Sequence, residues 1–382
     1  MGPLLGPFFL LSYCFLFDSA ILRLGDCLIL KMARIKSSLI MVSLGMLSLL
    51  SCSDRAHQLI GAGSSFDNPL FSKMFYSYFQ SRGMKVNYQS IGSGGGISQL
   101  INRTIDFGAS DVPMNREQDS LSPAKVLHVP ITVSAVVLSY NLPELKDTLC
   151  LSPQVLAGLF LGKITHWNDT AIARLNPGIT LPDIPVVIAH RSDGSGTTHI
   201  FTSYLSRVSG EWDDKVGRGS SINWPAGLGG KGNEGVAGLI RQTHGAIGYI
   251  ELAFAMQNKM AFGKIRNRAG RFITPGIASI SEAADIKMPA DGKATLADTD
   301  APGGYPISSF SWVILYKEQD YRRHPKEKAD NLLRLVDWMI HDGQRYSSEL
   351  YYAPLSPAAV RAGEAILGSA TFDGNPILTH HN

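Results

Sequence analysis

Lys85-Val-Asn-Tyr-Gln-Ser-Ile91 alternates as a strand and runs straight into Gly92-Ser-Gly-Gly-Gly96, beyond which Ile97, Leu100 and Ile101 recur at helical spacing. The same succession returns at Pro185-Val-Val-Ile-Ala-His190, a strand that delivers Arg191 and the turn Asp193-Gly-Ser-Gly-Thr-Thr198 to a helix carrying Ile200, Phe201, Tyr204 and Leu205. A third turn, Gly61-Ala-Gly-Ser-Ser-Phe66, precedes Asn68, read as a helix cap with Pro69 in the first helical position. Leu70, Phe71, Met74, Phe75, Tyr78 and Phe79 then fall on one face. Strand–turn–helix units repeated along a chain restrict it to an α/β architecture and put ligands at the carboxyl ends of the strands.

Two further stretches bear on organisation. Val126 to Tyr140 is a long β-type run, and Ser152-Pro153 opens a helix through Leu156, Leu159 and Phe160. Within the β-rich segments, Ile131 to Tyr140 and Ile307 to Leu315 are expected to cross between two lobes, while the irregular stretch Gly263 to Gly304 is placed on the surface. With 382 residues the chain can build two sizeable cores. Its net charge of +3 lacks any basic stripe or RNA-binding aromatic signature, which excludes nucleic acid as the expected partner. Any anion it holds must be held locally.

Residues 1–51 read as leader and signal sequence. Met32-Ala-Arg-Ile-Lys-Ser-Ser38 is a cationic start, Leu39 to Leu50 an apolar run of signal-peptide length, and Leu49-Leu-Ser-Cys52 resembles the bacterial lipoprotein box. Cys52 is therefore the expected lipidation site, anchoring the chain to a membrane without spanning it. Residues 1–31 have no cationic start, so Met32 is expected to be the true first residue; the alternative is a membrane-inserting extension, whose apolar runs are short for a full span. Cys14 and Cys27 fall in this leader and Cys150 stands alone, which leaves no intrachain disulfide framework and no cysteine zinc site. The ten histidines show no His-x-x-x-His spacing, and neither a metal nor a cofactor is expected.

The three turns share a chemistry. A helix N-terminus presents unpaired N–H groups and the positive end of a dipole, and glycine lets an anion approach that backbone closely. One such turn is commonplace, but three in one chain suggest a site that surrounds a tetrahedral oxyanion. An anion taken out of water needs a dense shell of donors. The chain offers the hydroxyls of Ser65, Ser93, Ser195 and Thr197, the backbone around Phe66 and Gly196, and the planar fork of Arg191. Asp193 is the natural partner to hold Arg191, although an ordinary surface ion pair would read the same way. Asp111, in Asp106-Phe-Gly-Ala-Ser-Asp111, is the odd member, and spacing alone favours a cap or turn residue. An ionised Asp only accepts, so it tolerates an oxyanion only if that anion carries a proton, as phosphate does near neutrality and sulfate does not.

The chain resembles the periplasmic phosphate-binding proteins of bacterial phosphate ABC transporters from Gly61 to about Leu355. The resemblance rests on GAGSSF (61–66), VNYQSIGSGGG (86–96), DFGASD (106–111), LGKITHWND (161–169), RSDGSGTTHIFTSYL (191–205), WPAGLGGKGNEGV (224–236) and GAIGYIE (245–251). It implies a two-lobed α/β periplasmic-binding-protein fold with a hinge of crossing strands and the ligand in the interlobe cleft. Residues 52–135 with 308–382 would form lobe 1, and 136–307 lobe 2. The implied phosphate contacts are Ser65, Phe66, Ser93, Asp111, Arg191, Ser195, Gly196 and Thr197, with Asp193 supporting Arg191. Position 65 is commonly threonine in relatives, and serine keeps the hydroxyl. The glycines of Trp224–Val236 read as a structural loop. The resemblance also implies a monomeric receptor at the periplasm or cell-envelope surface that serves inner-membrane permease subunits. The rival class, a phosphoester enzyme, lacks Gly-x-x-x-x-Gly-Lys-Ser/Thr, and Ser195 has no obvious histidine base. Ser122-Pro-Ala-Lys125 matches Ser-x-x-Lys without that pattern's companion motifs.

Overall fold

The computed structural model describes residues 58–322 and 324–378. The leader, Cys52 and its expected modification lie outside them. Eight strands follow one continuous path: β1 (Gln58–Gly63), β2 (Lys85–Ser90), β3 (Phe107–Ser110), β4 (Val126–Tyr140), β5 (Val187–Arg191), β6 (Leu228–Gly230), β7 (Ala246–Glu251) and β8 (Ile307–Tyr316), in the spatial order β2-β1-β3-β8-β4-β7-β5-β6. At one end β1 is parallel to β2 and β3; at the other β5 is parallel to β6 and β7. The two stretches expected to cross between lobes, in β4 and β8, pair with each other, antiparallel from Ser308↔Ala135 to Tyr316↔Val126. The last five residues of β4, Val136 to Tyr140, pair instead with β7. One strand thus belongs to both halves of the sheet. Both strands are buried on both faces apart from the half-buried Val126, which explains their near-continuous apolar and small-residue composition.

Six helices matter for the site and its support: α1 (Asn68–Arg82), α2 (Ser93–Ile101), α3 (Pro153–Phe160), α4 (Gly196–Val208), α5 (Gly232–Gln242) and α6 (Lys326–Ile340). Ser152 caps α3 as its sequence indicates, its Oγ accepting from Val155 N. The start of α1 differs from the sequence reading. Asp67, not Asn68, holds the cap position, and its side chain makes no capping bond. Asp67 lies at φ −90°, ψ −6°, in the helical region and not the extended one from which a cap side chain reaches back, and Pro69 at the second helical position has no N–H to offer. Phe79 also departs from the expected buried face and is 45% exposed, whereas Leu70, Phe71, Met74, Phe75 and Tyr78 are buried. Phe79 lies one turn beyond Tyr76, itself exposed, on the outer side of the helix. Inside, Phe71 meets Tyr88 edge-on at 5.5 Å and Phe75 meets Phe107 at 6.0 Å, so α1 is fixed on β2 and β3 directly behind its own N-terminal turn.

Gly263–Gly304 is more ordered than its composition suggests. Lys264–Arg266 pairs with Cys150–Leu151 and Phe272–Ile273, Ile277–Ala283 is helical, and Ile265, Ile280 and Leu296 are buried. Strands of two or three residues are too short to show a period, which is why the sequence reads as irregular there. Among the described residues no helix is long and apolar enough to cross a membrane.

Candidate functional site

Each of the three turns leaves the carboxyl end of a parallel strand or enters a helix from it. β1 leads to Ser64–Asp67 and α1, β2 to Gly92 and α2, and β5 to Asp193–Ser195 and α4. Asp111 follows β3 in the same manner. The fold thereby gathers the four segments at one level of the sheet. Two contacts confirm the convergence of the second and third turns, about a hundred residues apart in sequence. Gly94 N donates to Gly194 O at 3.0 Å. Gly92 sits at φ 83°, and a Cβ there would come within 2.5 Å of Asp193 Oδ2 and Gly194 O, so both the dihedral and the space require glycine.

Ser65, Phe66, Ser93, Asp111, Arg191, Ser195, Gly196 and Thr197 are all buried. Arg191 has a side chain only 1% exposed. Its Nε donates to Asp193 Oδ1 at 2.7 Å and its Nη2 to Asp193 Oδ2 at 2.6 Å, while Nη1 donates to Thr197 Oγ1 at 3.2 Å. A guanidinium has five N–H donors, so one on each Nη is left for a ligand. Burial pushes Asp193 up, but the two bonds and the charge of Arg191, with a further bond from Gly232 N, hold it below the usual carboxylate range. The pair is therefore a fixed, ionised clamp and not the loose surface pair that spacing also allowed.

Asp111 accepts from Ser64 Oγ, from Ser93 Oγ at 3.1 Å and from Ser311 Oγ at 3.3 Å, and its own N–H donates to Ser93 Oγ at 3.3 Å. It is neither a helix cap nor a turn residue at the surface. Burial raises its proton affinity, with the Ser64 and Ser93 bonds and the Arg191 charge opposing. Ser195 has a second duty: it caps α4, accepting from Thr198 N at 3.0 Å. Phe66 N–H meets Ser64 Oγ at 3.0 Å, so in this structure that expected ligand donor is turned onto a neighbouring hydroxyl.

Several residues of the site escaped the sequence reading. Asn233, on α5 within the glycine-rich Trp224–Val236 segment, donates from Nδ2 to Ser65 Oγ at 3.0 Å and to Thr197 Oγ1 at 3.3 Å, and from its backbone to Ser65 Oγ at 3.2 Å. It ties a hydroxyl after β1 to one at the start of α4. Its Oδ1 accepts from Glu251 N at 3.0 Å. Glu251 is wholly buried, accepts from Ser134 Oγ at 2.5 Å, and is pushed up to about 8 by burial against the opposing pull of that bond. Gly232 N, from the same segment, donates to Asp193 Oδ1 at 3.1 Å, so this stretch supports the clamp and is more than a structural loop. Tyr249 OH accepts from Arg191 N at 3.0 Å and shares a hydrogen bond with Thr198 Oγ1 at 2.7 Å, fixing the strand end from behind. His190, a local neighbour of Ser195, stacks on Trp224 with centroids 5.0 Å apart and bonds Arg191 O through Nδ1, a structural placement.

Taken together these groups can enclose a small oxyanion with hydroxyl and amide donors and one guanidinium, and present it with one carboxylate acceptor. Residues 53–342 match the family model described as a PBP superfamily domain. The chain is 42% identical over 316 residues to the phosphate-binding protein PstS of Xylella fastidiosa, covering 82% of this chain and 85% of that one. It is 43% identical over 310 residues to the protein of the same name from Haemophilus influenzae, covering 80% and 91%. In fold it is similar to the high affinity periplasmic phosphate-binding protein PfluDING, solved with phosphate bound, with a TM-score of 0.65 at 18% identity over 81% of this chain and 93% of that one. It is likewise similar to a phosphate binding protein from Stenotrophomonas maltophilia, with a TM-score of 0.62 at 15% identity and coverage of 81% and 93%.

Proposed function

The chain belongs to the phosphate-binding protein family of the PBP superfamily, and from that premise we propose that it is an extracytoplasmic receptor for inorganic phosphate that delivers its ligand to an ABC-transporter permease. It binds and does not catalyse. The observation that carries the reading is the convergence of three anion-receptive turns on one buried site holding the Arg191 guanidinium and the Asp111 carboxylate.

Phosphate contacts are assigned to Ser65, Phe66, Ser93, Asp111, Arg191, Ser195, Gly196 and Thr197, with Asp193 holding Arg191. Lobe 1 comprises residues 52–135 with 308–382, and lobe 2 residues 136–307. The switch of β4 from β8 to β7 between Ala135 and Val136 supports that division. Ligand contacts made from both lobes favour the closed state over the open one, and the closed monomer docks on inner-membrane permease subunits. A lipid on Cys52 holds it at the periplasmic or cell-envelope surface.

Asp111 supplies selectivity. It accepts a hydrogen bond from the P–OH of phosphate and repels an anion with no proton to donate. In calorimetric titration at neutral pH, phosphate is expected to bind one-to-one while sulfate gives no heat. Asp111→Asn places a donor where an acceptor stood. It is expected to weaken phosphate binding about ten- to a hundredfold, the worth of one bond to a charged group, and to admit sulfate. An unchanged preference for phosphate over sulfate in that variant removes Asp111 from the role; absence of phosphate binding in the unmodified protein overturns the receptor reading.

A further inference from the structure

Asp67 lies one residue beyond the first turn and is entirely buried. It occupies the cap position of α1 without capping it. Its backbone N–H is bonded to Ser64 Oγ at 3.3 Å, yet among the described residues neither oxygen of its carboxyl has a hydrogen-bond partner of good geometry. Asp111 and the hydroxyls of Ser64 and Ser311 lie beside that carboxyl. A hydroxyl has one proton, and Ser64 and Ser311 both direct theirs to Asp111 Oδ1. The two carboxyls therefore compete for the same two hydroxyls, and among the described residues Asp111 holds both. Two carboxylates side by side away from water cannot both stay ionised, whereas a protonated Asp67 has an O–H and, in Asp111, an acceptor next to it.

We propose that Asp67 and Asp111 form a carboxyl–carboxylate pair that shares one proton, carried on Asp67, and that this pair sets the upper pH limit of ligand binding. The inference rests on the phosphate reading of the site. While Asp67 keeps its proton, Asp111 carries the pair's single charge and can accept from the ligand's P–OH. Once Asp67 ionises, the ligand meets a second negative charge, and binding must take up a proton from solvent. Burial and the charge of Asp111 both push Asp67 well above the usual carboxylate range. The other groups facing the pair fit this assignment. Arg191, at the end of β5, is the cation acting on Asp111. Tyr88 on β2 and Tyr352 are neutral, raised by burial, and donate to Ser64 O and Phe66 O at 2.7 Å each. Glu251, at the end of β7, is a second buried carboxyl whose charge reaches Asp111.

The test is phosphate calorimetry from pH 6 to pH 9.5 on the unmodified protein, Asp67→Asn and Glu251→Gln, in buffers of differing ionisation enthalpy. Phosphate's own ionisation is common to all three and cancels in the comparison. The unmodified protein is expected to lose affinity about tenfold per pH unit above the pair's upper pKa, with proton uptake on binding. Asp67→Asn should lose both the limb and the uptake, and Glu251→Gln should keep them. Parallel profiles for the unmodified protein and Asp67→Asn overturn the proposal, as does a limb abolished by Glu251→Gln alone. A carbon-13 carboxyl titration of the ligand-free protein checks the pair without ligand. One aspartate titrating well above the ordinary carboxylates and missing from Asp67→Asn supports it; Asp67 titrating with ordinary carboxylates overturns it. A protein whose Asp67 titrates high but which binds no phosphate at any pH overturns the phosphate reading and the pH role with it.

Discussion

Arg191→Ala is expected to reduce phosphate affinity by about two to three orders of magnitude, the largest loss from any single side chain in the site. The size follows from burial. A buried fork gives its two remaining N–H groups to the anion as charge-assisted hydrogen bonds worth about 1.5–3 kcal/mol each, and its loss leaves the survivor of a buried ion pair to repel that anion. Here the survivor is Asp193, whose side chain is 14% exposed and whose charge is held by the two bonds from Arg191. The variant therefore loses the two free N–H groups of the fork and leaves beside Gly92, at the mouth of the second turn, a carboxylate without its counter-charge, still bonded by Gly232 N. The two contributions separate in a cycle. Arg191→Ala with Asp193→Ala removes the stray charge and should recover part of the loss, while Arg191→Lys keeps a charge without the fork and should bind less well than the unmodified protein. Calorimetry on the four proteins decides the matter. Phosphate affinity surviving Arg191→Ala intact would show that the anion sits elsewhere.

The part of this site that could be read from sequence is the part whose chemistry is local. Gly92, Ser93, Arg191, Asp193, Ser195 and Thr197 lie in short runs where strand end, glycine and hydroxyl follow one another, so the backbone requirement and the ligand chemistry share one window. Asp111 needed the resemblance as well, since nothing local separates it from a turn residue. The residues missed enter through tertiary pairing alone. Asn233 reaches Ser65 across 168 positions, and Ser311 reaches Asp111 across 200. Asn233 also stands in a run of glycines, where an asparagine reads as a turn former. Asp67 was masked by a different competition. Beside Asn68 and Pro69 it looks like one more capping residue, and only the missing N–H of proline and the packing of α1 turn its carboxyl inward. The two pairing strands were legible for the opposite reason: long double-sided burial leaves a strong composition signal, which the short strands of Gly263–Gly304 lack.

Gly196→Ala should separate stability from binding. Gly196 is the first residue of α4, and its φ lies outside the left-handed region, so alanine suits its backbone and should favour the helix by less than the roughly 0.5–1 kcal/mol of a helix interior. What alanine lacks is room. A Cβ at this position would stand 2.5 Å from Asp111 Oδ2 and from Ser93 Oγ, and 2.7 Å from Asp111 Cβ, closer than real Cβ contacts come. Neither neighbour can withdraw cheaply. Asp111 is held by the Ser64, Ser93 and Ser311 hydroxyls, and Ser93 heads α2. The methyl must therefore push the start of α4 away from the ends of β3 and β2, the direction of opening under the proposed lobe division. Overpacking of this kind costs about 1–3 kcal/mol, and the cost falls on the form in which Asp111 and Ser93 meet the start of α4, the closed one under the proposed lobe division. The expected result is phosphate affinity lowered about ten- to a hundredfold, with the melting temperature of the ligand-free protein unchanged or slightly higher. Small-angle scattering should show a smaller contraction on adding phosphate than in the unmodified protein. Full affinity together with full contraction would mean that Asp111 and Ser93 do not close on the N-terminus of α4, and the assignment of Gly196 as a ligand contact would fall with it.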